Sequence, residues 1–361
     1  MRNHSLLTRL AWLAITAVVL AGAAAGQDSF AGVDRVVAIG DIHGDYEAFA
    51  ELLRAAALID GSGKWTGGKS HLVQTGDVVD RGADTRHCLD LLMALEKQAR
   101  QAGGRIHALI GNHEAMNLYG DFRYVSAGEY ASYRTGKSER VRDMYYEQHA
   151  RQAQQGAAPG AGRLDEEYRR KWLSSHPLGF FERMIAMAPD GHYGKWIVNN
   201  RTAVKINDMV FLHGGISPKY AKLKLQELNR KVREELLDRA KLEGGMVMDP
   251  EGPFWWRGLA QDDERKLETH LNGVLERLEA SCMIVGHTVT KGYVTPRFDG
   301  RVLLLDTGIS RSYGSRPACL LVESGRRFAI HRGAKILLPR NMGTDLLRYQ
   351  DEVEKINRGV R

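Results

Sequence analysis

Short polar turns that contain glycine recur along the sequence, and each follows a run of apolar or β-branched residues. The candidate metal ligands in these turns are Asp41, His43, Asp77, Asn112, His213 and His287. Two carboxylates, one amide oxygen and three imidazoles form a mixed oxygen and nitrogen set, which divalent cations such as Mn, Fe or Zn prefer. Six ligands are too many for one catalytic metal with open positions. The set therefore favours two metals, about 3.5–4 Å apart, that share a carboxylate and a bridging, water-derived group.

The order and spacing of the turns support this interpretation. GDIHGD begins at Gly40, GDVVDRG places Asp77 36 positions after Asp41, and GNHE places Asn112 35 positions after Asp77. A single histidine is more often structural than a ligand. We assign that structural role to His71, His87, His107, His149, His176, His192, His270 and His331.

The elements that must position these turns are predicted to be short buried strands. The runs that precede the turns are Arg35–Ile39, His71–Thr75, Arg105–Ile110, Met209–Leu212 and Cys282–Val285. Runs of four to six residues, rich in Val and Ile and closed by glycine, are typical of buried strands. Since ligands collect at the carboxyl ends of strands in α/β sheets, the five turns are predicted to form one shared site.

The segments between and after these runs define the fold class. Apolar residues recur at helical spacing over 49–56 and 88–95, so the start of the chain is predicted to alternate strand and helix in a mostly parallel sheet. Further runs at 302–305, 318–323 and 328–331 follow too closely for helices and are predicted to be antiparallel strands. The expected class is α/β.

Two regions fall outside this alternation. Residues 117–200 contain many aromatic residues and a QAQQGAAPGAG stretch near 152–162, which indicates a mainly helical insert with a surface loop. The insert could cap the site, or its aromatic residues could simply form a small core. The charged, Leu-periodic segment 219–241 is predicted to be a solvated amphipathic helix.

Composition bounds the class of protein. The chain has 361 residues, 43% of them apolar, and a formal net charge of +7, which disfavours disorder and a polytopic membrane protein. The three cysteines, Cys88, Cys282 and Cys319, contain no C-x-x-C pair and cannot form a disulfide scaffold. The small positive charge indicates mild attraction for anionic substrates, and no nucleic-acid partner is expected.

The N-terminus has the pattern of a cleavable signal peptide over residues 1–25. Arg2 and Arg9 precede an uncharged run over 10–25 that ends in small residues, with an A-x-A-like site at 23–25. The run is shorter than the roughly 20 residues that a spanning helix needs. We therefore expect export to the periplasm or the medium without stable membrane insertion after cleavage; an uncleaved anchor is the alternative.

Taken together, the motifs resemble those of the calcineurin-like metallophosphoesterase superfamily. GDVVDRG with GNHE is similar to its phosphoprotein-phosphatase branch. The segments FWWRG (254–258), GHTVTKGY (286–293) and LLLDTGIS (303–310) are more similar to bacterial, Shewanella-like phosphatases than to eukaryotic serine/threonine phosphatases. The resemblance implies a four-layer α/β/β/α sandwich of two mixed sheets. It places the catalytic domain at 33–337, with the insert at about 117–200 and a C-terminal tail at 338–361.

The resemblance also implies a role for each site residue. Asp41, His43 and Asp77 would hold the first metal, and Asp77, Asn112, His213 and His287 the second. His113 would be the general acid, paired with Asp80. Arg81 and Arg257 would bind phosphate, although a structural stacking role for Arg257 in its Trp-Trp-Arg run is the alternative.

Elementary chemistry agrees with these roles. Two cations can lower the pKa of a bridging water and hold the phosphoryl oxygens, and the planar guanidinium of Arg81 can bind two phosphate oxygens. Asp80 would stabilise the imidazolium of His113. Because the chain lacks G-x-S-x-G and C-x5-R motifs, we expect direct attack by water without a phosphoenzyme.

Three functions remain open from the sequence. The first is hydrolysis of phosphomonoesters, on phosphoproteins or small phosphoesters, with phosphotyrosine as a candidate substrate. The second is hydrolysis of dinucleoside polyphosphates, which would use the same metals with different pocket walls. The third is a non-catalytic, exported metal-binding protein.

Overall fold

Two six-stranded sheets form the centre of the protein. The computed structural model describes residues 27–155, 165–339 and 343–358. The predicted signal peptide and most of the Gly/Ala-rich stretch near 152–162 lie outside these ranges. The strands are β1 (Ser29–Phe30), β2 (Arg35–Ile39), β3 (His71–Gln74), β4 (Arg105–Ala108), β5 (Ala203–Ile206), β6 (Met209–Leu212), β7 (Cys282–Val285), β8 (Thr295–Arg297), β9 (Val302–Leu304), β10 (Ala318–Glu323), β11 (Arg326–His331) and β12 (Ala334–Leu337).

Helices surround the sheets and build the insert. They are α1 (Tyr46–Ala55), α2 (Thr85–Gln101), α3 (Asn112–Tyr119), α4 (Ala127–Ser132), α5 (Ser138–Gln155), α6 (Glu166–Ser175), α7 (Phe180–Met187), α8 (His192–Val198), α9 (Leu225–Leu237), α10 (Gly258–Gln261), α11 (Glu264–Arg277) and α12 (Thr344–Asn357). Helices α4 to α8 lie within 117–200, so the prediction of a mainly helical insert is confirmed.

One sheet has the order β12-β11-β10-β2-β3-β4. Strands β2, β3 and β4 are parallel, with Ala38 opposite Val73 and Val73 opposite His107. The predicted strand–helix alternation is therefore correct here, and the carboxyl ends of the three strands lie side by side. Strand β10 joins β2 in antiparallel pairing, and β11 and β12 extend the edge.

The other sheet has the order β1-β5-β6-β7-β9-β8. Strands β6 and β7 are parallel, with Leu212 opposite Val285. Strand β9 pairs in parallel with β7 and antiparallel with β8. The expectation that 302–305 would form an antiparallel strand is therefore wrong for its pairing with β7. After β7 the chain first forms β8, a short strand that contains Pro296, and then turns back, so that β9 runs in the same direction as β7.

The alternation of side chains along β2 shows how the layers pack. Val36 and Ala38 belong to one apolar cluster with Phe211 of the other sheet, whereas Val37 and Ile39 belong to a second cluster with residues of the surrounding helices. Successive side chains of a strand point to opposite faces. The two sheets therefore pack face to face with helices outside, as expected for the four-layer sandwich.

The segment predicted as a C-terminal tail contains a packed helix. In α12, Tyr349 and Val353 are buried in the cluster between the sheets, and the Tyr349 hydroxyl donates to the carbonyl oxygen of Val294 over 2.9 Å. Within 225–237, Leu228, Val232 and Leu236 are buried, which confirms an amphipathic helix there. Across the part of the chain that the structure describes, no helix is both long and apolar enough to cross a bilayer.

Candidate metal centre

The five polar turns lie close together, at the carboxyl ends of strands from both sheets. The turn after β2 is tied to the turn after β3, because the amides of Ile42 and His43 both donate to the carbonyl oxygen of Asp77 over 2.9 Å. The turn after β7 contacts both sheets: the amide of Gly286 donates to the backbone carbonyl oxygen of His213, and the amide of His287 donates to both carboxylate oxygens of Asp41 over 3.1 Å. The sequence therefore predicted a single convergent cluster correctly.

Two groups of three side chains bring one ligand atom each within 4.8 Å of one another. One group is His43, Asp77 and His113, and the other is Asp77, His213 and His287. Asp77 is common to both, as expected of a carboxylate that bridges two metals. Asp41 belongs to neither group; its oxygens are instead fixed by the amide of His287.

The site is built on strained backbone. His43, Asp77, Asp80, Arg81 and His287 all have positive φ angles, between 47° and 69°. Residues other than glycine rarely adopt this left-handed conformation, and it persists where the surrounding structure enforces it. Glycine supplies the remaining space, because a Cβ on Gly111 would collide with the carboxylate of Asp77. Sharp turns thus aim neighbouring side chains at one point.

The orientation of His213 shows why this point attracts a cation. Its Nδ1 lies 2.9 Å from the carbonyl oxygen of Thr75, which can only accept, so Nδ1 carries the proton and Nε2 presents a lone pair. That Nε2 lies 2.9 Å from Oδ1 of Asn112, 3.3 Å from Oδ2 of Asp77 and 3.1 Å from Nδ1 of His287. Several electron-pair donors thus face one another.

The other two histidines repeat the arrangement. Nδ1 of His43 faces the carbonyl oxygen of Val79 at 3.1 Å, and Nε2 of His287 faces that of Trp255 at 3.2 Å. The opposite nitrogens therefore present lone pairs to the cluster. Burial lowers the pKa of His43 to about 4 despite nearby Asp77, and burial also lowers the pKa of His287 well below its ordinary value. Both rings are neutral at physiological pH, as ligands must be.

The carboxylates carry the charge that a cation would balance. Burial alone would raise the pKa of Asp77, but His213 and His113 outweigh it, so this pKa lies well below its usual range. The pKa of Asp41 lies well above its usual range because of burial and the negative charges of Asp306 and Asp77. A metal-ligating histidine typically has its second nitrogen fixed by a carbonyl or carboxylate. The donor set therefore fits divalent metal ions.

Two acidic residues that the sequence reasoning missed support the cluster. Glu114 is buried and accepts hydrogen bonds from the amides of Asp77, Val78 and Gly111 over 2.7–2.8 Å, which fixes the turns after β3 and β4 together. Asp306 is 2% exposed and follows β9. Glu114 is the last residue of GNHE, and Asp306 follows an apolar run, so both had a signal in the sequence.

His113 and Asp80 form a close pair beside the cluster. Nδ1 of His113 lies 2.6 Å from Oδ2 of Asp80, and Nε2 of His113 lies 3.9 Å from Oδ2 of Asp77. Burial would lower the pKa of His113, but Asp77 and Asp80 outweigh it and raise this pKa above its ordinary value. Although His113 is near enough to ligate, a ring that retains its proton is better suited to donating a proton than to binding metal.

Arg81 is exposed at the mouth of the site, between two tyrosines. Its Cζ lies 4.0 Å from the ring centre of Tyr124 and 5.9 Å from that of Tyr313. The Tyr124 ring lies 5.0 Å from that of His113, and the Tyr313 ring lies 5.0 Å from that of His43. These tyrosines, which the sequence did not single out, lie between Arg81 and the histidines of the site.

Arg257 lies next to the turn after β7. Its Nη1 donates to the carbonyl oxygen of His287 over 2.5 Å and to the hydroxyl of Thr288 over 3.1 Å. Arg257 therefore lies at the cluster and holds the backbone of His287, a predicted metal ligand. Its predicted phosphate-binding role remains a prediction.

Comparison with known proteins agrees with this geometry. The family model for calcineurin-like phosphoesterases matches residues 34–291. An uncharacterised protein of Schizosaccharomyces pombe is 32% identical over 298 residues, covering 80% of this chain and 77% of that protein. Shewanella-like protein phosphatase 2 of Arabidopsis thaliana is 29% identical over 296 residues, covering 79% and 74%.

A solved structure is similar over most of the chain. The cold-active protein-tyrosine phosphatase of a psychrophilic Shewanella species superimposes with a TM-score of 0.67 at 28% identity, covering 87% of this chain and 83% of that one. The fold and the site thus define a metal-dependent phosphoester hydrolase of the two-sheet α/β type. The chain belongs to the calcineurin-like metallophosphoesterase family.

A pH-dependent stability test follows from Asp306. Burial first, with the charge of Asp77 adding, raises its pKa to about 6. A carboxyl whose folded pKa is raised stabilises the fold below its unfolded pKa and loses that contribution as the pH rises through about 6. In metal-free protein, the free energy of unfolding of Asp306→Asn relative to wild type is therefore expected to increase by about 2 kcal/mol as the pH rises from about 4.5 to 7.5.

Denaturant unfolding of both proteins at several pH values, with a chelator and then with saturating Mn²⁺, measures this difference. Metal should remove the gain because the cation balances the carboxylates. A difference that stays flat with pH in the chelated protein would contradict the account.

Proposed function

We propose that the chain is an exported, dinuclear-metal phosphatase that hydrolyses phosphomonoesters on proteins and prefers phosphotyrosine. The observation that carries the proposal is the convergence of ligand lone pairs on Asp77, with the His113–Asp80 pair and the Arg81 guanidinium on the open side. These are the parts that phosphoryl transfer to water requires: charge neutralisation, a proton donor and a phosphate clamp.

Each residue has a distinct task in this proposal. Asp41, His43 and Asp77 would hold one metal, and Asp77, Asn112, His213 and His287 the other. When bound, two divalent ions supply charge neutralisation of the phosphoryl oxygens and acidify the attacking water; Mn is the metal we favour, with Fe or Zn as alternatives. His113 keeps its proton through Asp80 and donates it to the leaving oxygen.

The two arginines would orient the phosphate. Arg81 presents a planar fork that can bind two phosphate oxygens, and stacking against Tyr124 holds that fork in place without using its hydrogen-bond donors. Arg257 is already engaged by the backbone of the turn that carries His287. It therefore both supports a ligand and places a positive charge at the edge of the cluster.

The aromatic frame supports phosphotyrosine as the substrate. The leaving oxygen must lie near His113, whose ring is covered by Tyr124. The aryl leaving group of phosphotyrosine could stack against the rings of His113 and Tyr124, whereas phosphoserine has no ring to stack. The similar solved structure is named as a protein-tyrosine phosphatase, which agrees with this preference.

The proposed export of the protein is based on its N-terminal sequence, not on the metal site. The signal-peptide pattern at 1–25 supports delivery to the periplasm or the medium. The partners in this proposal are phosphorylated proteins or small phosphoesters. Neither a nucleic-acid partner nor stable membrane insertion is part of it.

A substrate panel tests the proposed function. The mature protein with Mn²⁺ is assayed on a phosphotyrosine peptide, a phosphoserine peptide of the same sequence, a dinucleoside tetraphosphate and a cyclic diester. We expect the highest kcat/KM on phosphotyrosine. Asp77→Asn, which removes the shared carboxylate charge, should abolish turnover and serves as the blank. Faster hydrolysis of the dinucleotide would overturn the proposal in favour of an anhydride hydrolase.

His113→Asn tests the proton donor. General acid catalysis typically contributes 10²–10⁴-fold, so kcat on phenyl phosphate, a poor leaving group, should fall by roughly that factor. Metal stoichiometry, measured by elemental analysis, should not change because His113 is not a ligand in the proposal. Wild-type kcat in this variant, or loss of bound metal, would show that the assigned role is wrong.

Tyr124→Ala tests the aryl preference. Loss of the ring should lower kcat/KM on the phosphotyrosine peptide by about 5–10-fold, since an aromatic pair contributes about 0.5–1.5 kcal/mol beyond burial. The phosphoserine peptide should be affected less, and Tyr124→Phe, the matched control, should retain the preference. Equal losses on both peptides would mean that Tyr124 acts only by holding Arg81.

A further inference from the structure

Arg183 of helix α7 is a completely buried arginine that belongs to the insert yet reaches the catalytic pair. Its side chain has no exposed surface. Nη2 lies 3.2 Å from Oδ1 of Asp80, and Nε donates to Oε1 of Glu129 in helix α4 over 2.8 Å. The rings of Phe122 and Tyr130 lie 5.4 and 5.9 Å from its Cζ. A buried arginine is rare without a charged partner, and here it has two.

The carboxylate of Asp80 is held on both of its oxygens. Oδ2 faces Nδ1 of His113 at 2.6 Å, while Oδ1 accepts from Asn117 over 3.0 Å and from Arg183. Asp80 is itself fully buried and has a φ of 69°. Removing a carboxylate from water is costly unless positive charge and hydrogen bonds compensate. Arg183 is the permanent positive charge in contact with Asp80, because an arginine does not deprotonate in proteins.

We propose that Arg183 is a positioning residue for proton donation: it fixes the Asp80 carboxylate so that Oδ2 orients His113 toward the leaving oxygen. Glu129 fixes the guanidinium from its other side, so the catalytic pair depends on two helices of the insert. The inference rests on the proposed role of His113 and gives the insert a part in catalysis.

A merely structural role for Arg183 has a different signature. If Arg183 only joined the insert to the sheets, its loss would lower stability and slow all substrates alike. If it positions His113, its loss slows only substrates whose leaving group needs a proton. Phenyl phosphate has such a leaving group, whereas dinitrophenolate leaves without one. The ratio of the two kcat values therefore separates the roles.

The variant must avoid stranding buried charge. Arg183→Met alone would leave Glu129 and Asp80 as buried carboxylates without a counterion, which can prevent folding. The test variant is therefore Arg183→Met with Glu129→Gln, compared with Glu129→Gln alone. Thermal melting and metal content establish that both proteins are folded and loaded with Mn²⁺.

We expect kcat on phenyl phosphate to fall at least about tenfold relative to Glu129→Gln, a part of the usual 10²–10⁴-fold worth of general acid catalysis. On dinitrophenyl phosphate kcat should stay within about twofold, and KM should change little on either substrate. In a His113→Asn background the same pair of changes should have no further effect, because residues that act as a unit are non-additive.

Two results would overturn the inference: equal losses on both aryl phosphates, or an undiminished loss in the His113→Asn background. A wild-type protein that hydrolyses neither ester would instead contradict the proposed function itself. If the doubly substituted protein does not fold, Arg183→Lys, which keeps the buried positive charge but not the planar fork that contacts Asp80 and Glu129, takes its place. It must then show the same dependence on the leaving group, and a loss that is equal on both esters would again overturn the inference.

Discussion

The structure depends on electron-pair donors that are forced to face one another. Three histidines have one ring nitrogen fixed by a backbone carbonyl, so the remaining lone pairs point toward Asp77 and Asn112. Such an arrangement repels itself, and the pKa of buried Asp41 rises in response to burial and its acidic neighbours. Only positive charge placed among these atoms turns the repulsion into binding. Affinity for a cation is thus built into the tautomers and not merely into the residue types.

Much of the rest of the fold serves to hold that arrangement. Parallel pairing of β2, β3 and β4, and of β6 with β7, brings five turns to one edge. The left-handed backbone at Asp77 and His287 is strained, and Glu114 offsets part of that strain by accepting three short hydrogen bonds from neighbouring turns. From the insert, Arg183 contacts the Asp80 carboxylate. The contacts of Glu114 and Arg183 thus hold both the fold and the side chains of the site.

The features that could be predicted from the sequence were those that depend on neighbouring residues. The strands before Asp41, Asp77 and Asn112 were predictable because apolar runs ended in glycine turns, and their convergence followed from parallel pairing. The parallel pairing of β9 was not predictable, because the partner of a strand is decided by distant residues. Arg183 lies 103 positions from Asp80 in a helix whose sequence resembles an ordinary aromatic core. Its role depends on tertiary packing alone, so no local signal could reveal it.

Anomalous X-ray diffraction from crystals grown with Mn²⁺ would show directly whether the facing lone pairs bind metal. We expect two anomalous peaks, both within coordination distance of the Asp77 carboxylate, one next to Nε2 of His43 and the other next to Nε2 of His213 and Nδ1 of His287. Those distances should be about 2.0–2.3 Å, in the range of first-row metal–ligand bonds. Crystals that show no peak at Asp77, or peaks that leave Nε2 of His213 in contact with a proton donor instead of a metal, would contradict this expectation.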